Sequence, residues 1–197
     1  MAWTTGRRYL SPVHTVLLGG APGVGKSSVA GCLLTLAERG PDLVQWVDVD
    51  HLWLHQPWRV DERMKTMVRA NLRAVAAHAA QAEVDILLIT WVFQSPDMQR
   101  LVTALLPAGT PTISIHLRAS YDTWRRRFEA DPARPAVNDF FRARYEAAQT
   151  TTADHVIGTD GLTPLAVAHH VAGIIGLVEQ PCACSAPVVS EVEEGRS

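Results

Sequence analysis

The chain has 197 residues, the length of one domain, and hydrophobic residues make up 47% of it, too many for general disorder. Its formal net charge is −2, so no overall basic field attracts nucleic acid or an anionic membrane, and we expect neither as a partner. Three cysteines make no disulfide framework, and no apolar run reaches the length of about 18 residues that a membrane span needs, which predicts a reduced, cytoplasmic protein.

The first half of the chain is expected to alternate between strands and helices. An apolar stretch at residues 14–18 predicts a strand that runs into two glycines, and residues 25–39 predict a helix with apolar side chains on one face. A second strand is expected at residues 43–49. A long helix follows at residues 60–81, where apolar side chains recur at a spacing of about 3.6 residues.

The second half continues this alternation. Residues 84–90 are almost continuously apolar, which predicts a strand buried on both faces, and Ser95 with Pro96 predicts the start of a helix that ends near residue 106. The remaining elements are expected as a strand at residues 112–117, a helix at 120–129, a loop at 130–137, a helix at 138–149, a strand at 155–157 and a helix at 163–178.

This alternation predicts an α/β fold in three layers, with a five-stranded parallel sheet between two layers of helices. We assign residues 1–178 to this domain. Residues 179–197 change in composition to Pro, Ser, Val and Glu, so we expect a disordered C-terminal tail there.

A phosphate-binding loop is predicted between the first strand and the first helix. The segment G-A-P-G-V-G-K-S matches G-x-x-x-x-G-K-[ST] at every fixed position, and a strand precedes it while a helix follows, as in P-loop NTPases. The glycines let backbone N–H groups approach the phosphates, the lysine can reach the β- and γ-phosphates as a catalytic charge, and the serine can bind Mg²⁺. We therefore expect ATP and Mg²⁺ as cofactors, bound through Gly20, Ala21, Pro22, Gly23, Val24, Gly25, Lys26, Ser27 and Ser28.

Two carboxylates, Asp48 and Asp50, stand at the end of the second predicted strand. Ligands of open α/β sheets bind at this edge, and the alternation of a strand would place both side chains on the same side. Asp48 could support Mg²⁺ beside Ser27, and Asp50 could accept the proton of a substrate hydroxyl. The alternative is that both are ordinary loop and capping acids.

An arginine-rich segment follows the fourth predicted strand. Arg126 and Arg127 lie on a predicted helix, and Arg134 follows in a loop that contains two prolines. One or two of these cations facing the triphosphate would neutralise the charge that is transferred, whereas the alternative is a solvated basic face. We expect residues 125–137 to form a mobile lid that closes on ATP.

From residue 14 to residue 177 the sequence resembles the small P-loop kinases of the shikimate kinase, gluconate kinase and chloramphenicol phosphotransferase type. In shikimate kinases an Asp-x-Asp ends the second strand, and the resemblance implies that Asp48 supports Mg²⁺ while Asp50 contacts the substrate hydroxyl. Those enzymes also carry an arginine pair ahead of an Arg-Pro lid. The resemblance thus implies a catalytic Arg127, with Arg126 and Arg134 on the nucleotide.

A later arginine in the sequence, Arg144, is similar to the helix arginine that holds the substrate anion in that family. Other features depart from shikimate kinases, because the triple-glycine turn after the third strand is replaced by Thr-Trp-Val-Phe-Gln. Trp53 and Trp91 instead suggest an aromatic-lined substrate pocket, although each could equally pack in the core.

The expected function is that of an ATP-dependent kinase acting on a hydroxyl of a small molecule, such as a metabolite, a nucleoside or an antibiotic. We expect a monomer or a homodimer. The alternative is a nucleotide-binding switch or ATPase that has no small-molecule acceptor. It is less favoured because the apolar run of the third predicted strand ends in Thr90 and not in an acidic residue.

Overall fold

The computed structural model of the protein describes residues 14–177. The predicted tail at residues 179–197, with two of the three cysteines, lies outside this range. The described strands are β1 (His14–Gly20), β2 (Val44–Asp48), β3 (Ile86–Thr90), β4 (Thr112–Arg118) and β5 (His155–Gly158). The helices of the same range are α1 (Lys26–Ala37), α2 (Val49–Leu52), α3 (Glu62–Gln81), α4 (Pro96–Thr103), α5 (Tyr121–Glu129), α6 (Asp139–Thr150) and α7 (Pro164–Ile175).

All five strands are parallel and lie in the order β2-β3-β1-β4-β5. The predicted α/β fold with a five-stranded parallel sheet is therefore confirmed. Strand β1 is central, and Thr90 at the end of β3 is level with Leu18 of β1 and Asp48 of β2. The segments that follow these strands consequently meet at one edge of the sheet.

Two hydrophobic clusters cover the two faces of the sheet. Neighbouring residues of β1 point to opposite sides, so Leu18 packs with Leu33 of α1 in one cluster and Leu17 packs with Leu72 of α3 in the other. Every residue of β3 is buried, which agrees with its continuous apolar sequence. In the described range, none of the helices has both the length and the apolar composition that crossing a bilayer requires.

Side-chain caps determine where several helices begin. The Asp61 carboxylate accepts a hydrogen bond from the backbone N–H of Met64 at 2.9 Å, so α3 begins at Glu62. Ser95 caps α4 in the same manner, as its sequence predicts. These caps satisfy backbone donors that would otherwise lack a partner at the helix ends.

The strand predicted at residues 43–49 ends earlier than expected. Strand β2 stops at Asp48, and the next four residues form the short helix α2. The cause is local, because the Asp48 carboxylate accepts a hydrogen bond from the backbone N–H of Asp50 at 3.0 Å and so caps α2. The directions of the Asp48 and Asp50 side chains are therefore set by the start of α2, and not by the alternation of a strand.

Candidate active site

The predicted phosphate loop, residues 20–27, joins β1 to α1 at the edge of the sheet where the strands end. Its glycines have positive φ angles of 144° at Gly20, 81° at Gly23 and 110° at Gly25, which glycine adopts far more readily than other residues. A Cβ at Gly23 would lie 2.9 Å from the ring of Phe128. The path of the loop therefore depends on glycine.

Helix α5 supports the phosphate loop from the protein interior. The indole nitrogen of Trp124 donates to the carbonyl oxygen of Pro22 at 2.7 Å, and Trp124 and Phe128 are fully buried. The Trp124 ring also stacks on Tyr145 of α6, with ring centroids 4.6 Å apart. Sequence reasoning missed this support because the bonded residues are 102 positions apart. Its only sequence signal is a tryptophan next to the arginine cluster.

Lys26 lies against the phosphate loop at the start of α1. Its ammonium group donates to the carbonyl oxygens of Gly20 at 2.9 Å and Ala21 at 3.0 Å. Removal from water lowers the pKa of Lys26 to about 8, with a smaller contribution in the same direction from Arg134, although the carboxylate of Asp50 opposes the shift. An ammonium with three donors retains one for a further acceptor in this position.

The predicted metal-binding pair, Ser27 and Asp48, is brought together. The Ser27 hydroxyl donates to Oδ2 of Asp48 at 3.2 Å, while Oδ1 of the same carboxylate caps α2. Ser28 is exposed next to Ser27. Among residues 14–177 no cluster of three or more His, Cys, Asp or Glu could hold a metal ion by itself. One hydroxyl and one carboxylate suit Mg²⁺, which takes its other ligands from phosphates and water.

Asp50 lies in α2 at the mouth of a cleft and is exposed to solvent. Its Oδ1 accepts a hydrogen bond from the indole nitrogen of Trp91 at 3.1 Å. Partial withdrawal from water and the neighbouring charge of Asp48 raise the pKa of Asp50, whereas Lys26 and the Trp91 hydrogen bond act in the opposite direction. A raised carboxylate pKa makes the group a better proton acceptor than an ordinary surface aspartate.

A cavity of about 480 Å³ opens beside the phosphate loop. Its volume lies in the range of small-molecule sites. The cavity is bounded by the segment from α2 to α3, the residues after β3, α4 and α6. The four residues predicted from the sequence to meet a substrate all line it, namely Asp50, Trp53, Trp91 and Arg144.

Arg126 and Arg127 occupy different positions on α5. Arg126 is exposed and reaches the hydroxyl of Thr123 at 3.5 Å. Arg127 donates to both the hydroxyl and the carbonyl oxygen of Thr159 at 2.8 Å, and to the carbonyl oxygen of Val24 at 3.3 Å. In this structure the Arg127 guanidinium joins the phosphate loop to the segment after β5.

Arg134 and Arg144 both line the cavity. Arg134, in the loop between α5 and α6, pairs with Asp131 at 2.9 Å. Arg144 donates to the amide oxygen of Gln94 at 2.9 Å, and its guanidinium carbon lies 4.1 Å from the centroid of the Phe140 ring. Both cations are therefore held near the cavity by partners of their own.

No protein-family model matches the sequence, and no curated protein matches it significantly. Solved structures do resemble it. The tunicamycin resistance protein of Deinococcus radiodurans superposes with a TM-score of 0.66 at 20% identity, covering 86% of this chain and 99% of that one. A sugar kinase from a Janibacter species gives 0.63 at 12% identity, covering 85% and 96%. The APS kinase of Mycobacterium tuberculosis, in complex with AMPPNP and APS, gives 0.59 at 19% identity, covering 85% and 99%.

These similarities extend over almost the whole described part of the chain and over nearly all of each matched structure. The chain therefore shares its fold with these structures, two of which are kinases, and this agrees with the fold that the sequence resemblance predicted. At no more than 20% identity, the likeness to these three structures establishes the fold.

Proposed function

We propose that the protein is an ATP-dependent kinase that transfers the γ-phosphoryl group to a hydroxyl of a small molecule. The observation that carries the proposal is that Pro22 of the phosphate loop and the Asp50 carboxylate line one cavity. A nucleotide phosphate on the loop and an acceptor in the cavity would then meet next to a proton acceptor. Such positioning is the main contribution of a protein to phosphoryl transfer.

The nucleotide would be held by the phosphate loop and by the N-terminal end of α1. Backbone N–H groups and the helix dipole favour an anion there, and Lys26 would exchange its loop carbonyls for phosphate oxygens. Ser27 and Asp48 would hold Mg²⁺, which when bound neutralises phosphate charge. The AMPPNP complex of the APS kinase, a protein of the same fold, supports ATP as the nucleotide.

The acceptor hydroxyl would be oriented by Asp50. In the transfer, the hydroxyl oxygen forms a bond to the γ-phosphorus, the bond from that phosphorus to the bridging oxygen of ADP breaks, and the hydroxyl proton passes to Asp50. Trp91 fixes the Asp50 side chain through its hydrogen bond. Little basicity is required of Asp50, because the transition state of phosphoryl transfer is largely dissociative.

The cavity cation Arg134 is suited to neutralise charge on the transferred group, since it lines the same space as Asp50. A catalytic role for Arg127 stays a prediction. Its guanidinium would have to leave at least part of its hydrogen bonds to Thr159 and Val24 to reach a phosphate. Arg144, next to Gln94, would contact the acceptor and not the nucleotide.

The proposal is tested by measuring ADP release with ATP and Mg²⁺, with and without each compound of a hydroxyl-metabolite panel, and by detecting phosphorylated product by mass spectrometry. The wild type should show acceptor-dependent release. Lys26→Ala should lose on the order of 100-fold or more in rate, because it removes a charge that stabilises the transition state. Arg39→Ala, an exposed cation beyond α1, is the control and should retain full activity.

The alternative of a nucleotide switch predicts a different result from the same assay. ADP release would then be independent of every hydroxyl compound, and no phosphorylated product would form. Acceptor-independent hydrolysis that still requires Lys26 would reject the kinase and favour the switch.

A further inference from the structure

The cavity beside the phosphate loop is lined mainly by apolar side chains. Its aromatic wall comes from Trp53 and Trp58, whose ring centroids lie 6.2 Å apart, and from Trp91 on the opposite segment. Aromatic walls contribute large contact areas to bound ligands and favour apolar or ring-containing groups. A small polyol would leave most of this surface without a suitable partner.

Two residues at the mouth of the cavity are apolar yet exposed. Trp58 has 59% of its surface exposed and Val60 has 60%, and both line the cavity. Leu54 in the same segment is 73% exposed. A ligand that covered Trp58 and Val60 would remove their apolar surface from water, and this burial would favour binding.

The inner wall of the cavity belongs to the hydrophobic core. Leu72 of α3 is 2% exposed, while Val102 of α4 and Leu105 beyond it are 0% and 7% exposed, and all three line the cavity. These residues are part of the cluster on this face of the sheet. A ligand group that reaches them would be surrounded by hydrocarbon and would meet no hydrogen-bond partner from these side chains.

The polar and charged side chains that line the cavity are Asp50, Lys65, Arg69, Gln94, Arg134 and Arg144. Asp50 and Arg134 also act on the charge of Lys26, which places them next to the phosphate loop. One space thus joins a polar region at the phosphate loop to an apolar region between α3 and α4. Such an arrangement fits an amphipathic ligand.

We propose that the acceptor is a hydroxyl compound with an aliphatic or aromatic limb, whose hydroxyl lies at Asp50 and whose limb lies between α3 and α4. That the bound compound accepts a phosphoryl group rests on the proposed kinase function. The limb site itself is defined by the apolar lining, and the two can be tested apart.

The test uses alkyl β-glucosides with methyl, butyl, hexyl and octyl chains, kept below their micellar concentrations, and the full-length protein with AMPPNP and Mg²⁺. Binding is measured by isothermal titration calorimetry. Burying one methylene contributes enough to strengthen binding about fourfold, so affinity should rise steadily from methyl to hexyl. A flat affinity across the series would overturn the inference.

Two variants locate the effect. Leu101→Gln places an amide on the cavity lining of α4, and Trp58→Ala shortens an exposed wall residue whose loss should not impair folding. Each variant should reduce the increase in binding free energy per methylene by at least half. Leu165→Gln, at a 47% exposed position on α7 outside the cavity lining, is the matched control and should keep the full gain. Equal gains in all three variants would overturn the inference.

The same glucosides and the metabolite panel are then assayed for phosphoryl transfer from ATP. If affinity rises with alkyl length in wild type but not in the two cavity variants, the limb site is supported, even where no compound is phosphorylated. In that case only the kinase proposal fails. Transfer to small polar acceptors without any chain dependence supports the kinase and overturns the limb site.

Discussion

The indole nitrogen of Trp91 donates a hydrogen bond to Oδ1 of Asp50 at 3.1 Å. This contact links the segment after β3 to the short helix α2 across the edge of the sheet. It holds one oxygen of the proposed proton acceptor, while the other oxygen of the carboxylate has no hydrogen-bond partner among the described residues. The orientation of Asp50 is therefore set from the aromatic wall of the acceptor cavity.

Replacing Trp91 with Phe tests this orientation, because it keeps an aromatic ring and removes the donor. The transfer rate should fall about tenfold or more, as expected for losing a hydrogen bond to a charged group. The bond lowers the pKa of Asp50, so its loss should move the acid limb of the kcat/KM profile to higher pH. Trp46→Phe, which removes the indole donor to Thr90 within the sheet, is the control and should leave the acid limb in place. An unmoved limb in Trp91→Phe would contradict the assignment.

Asp50→Asn and Asp48→Asn should have different effects. The Asp50 variant should bind ATP with Mg²⁺ within a few-fold of wild type, yet lose transfer to the acceptor by about 100-fold or more, since it cannot take the proton. The Asp48 variant should instead raise the Mg²⁺ concentration needed for half-maximal activity. Titrations of nucleotide and of Mg²⁺ measure both effects. If Asp50→Asn chiefly weakened metal-dependent ATP binding, the two roles would have to be exchanged.

The lowered pKa of Lys26 leads us to predict that the protein takes up a proton when ATP binds. In the free protein its pKa is about 8, so near that pH a large fraction of the lysine is neutral, and phosphate anions favour the charged form. ATP affinity should therefore be level below pH 8 and fall as the pH rises above it. Calorimetry at pH 8 in two buffers of different ionisation enthalpy should detect the uptake in wild type, and Lys26→Met should lack it. Equal apparent enthalpies in the two buffers for wild type would refute this prediction.

We predict that the buried side chain of His116 lowers the free energy of unfolding in mild acid. Its side chain is 1% exposed, and burial with the charges of Arg118 and Lys26 lowers its pKa from 6.5 to about 4, although a backbone hydrogen bond with Ala148 acts in the opposite direction. Between these values the unfolded state binds a proton that the folded state does not, so stability falls as the pH drops from 6.5 to 4, by on the order of 3 kcal/mol.

The variant His116→Leu should lack this component, and urea unfolding at several pH values measures it. His170→Leu, at an exposed position on α7, serves as the control and should follow the wild-type curve. The same slope of stability against pH in His116→Leu and in wild type would show that the buried imidazole is not responsible.

The lid predicted at residues 125–137 should change its hydrogen exchange when nucleotide binds. Residues 125–129 belong to α5, so we expect the greatest slowing at residues 130–137, the loop that carries Arg134. Exchange measured by mass spectrometry with and without AMPPNP and Mg²⁺ tests this, with α7 as an internal reference. Equal protection of residues 130–137 in both samples would argue against a lid.

The strands and the phosphate loop could be predicted because their signals are local. Residues 86–90 are an uninterrupted apolar run, and the spacing of glycines and lysine in residues 20–27 is a motif in consecutive residues. The α/β alternation then leaves few arrangements for a parallel sheet. Helix α2 could not be predicted, because its capping residue, Asp48, lies within residues 43–49, which the sequence pattern assigns to a strand.

Contacts between distant parts of the chain could not be predicted from the sequence. The bond from Trp91 to Asp50 spans 41 positions, and the bond from Arg127 to Val24 spans 103. No local pattern distinguishes a tryptophan that lines a cavity, such as Trp91, from one that packs in the core, such as Trp124. The arginines have the same ambiguity, since only packing shows which of them faces the cavity.

The bond from Trp124 to Pro22 has a consequence for how the protein can open. Because a buried side chain ties α5 to the phosphate loop, the helix and the loop should move together as one rigid body. A closing movement would then need its hinge after Glu129, where α5 ends, and its other hinge before Asp139, where α6 begins. Stiffening either hinge would slow entry and exit of the nucleotide while leaving the phosphate loop itself unaltered.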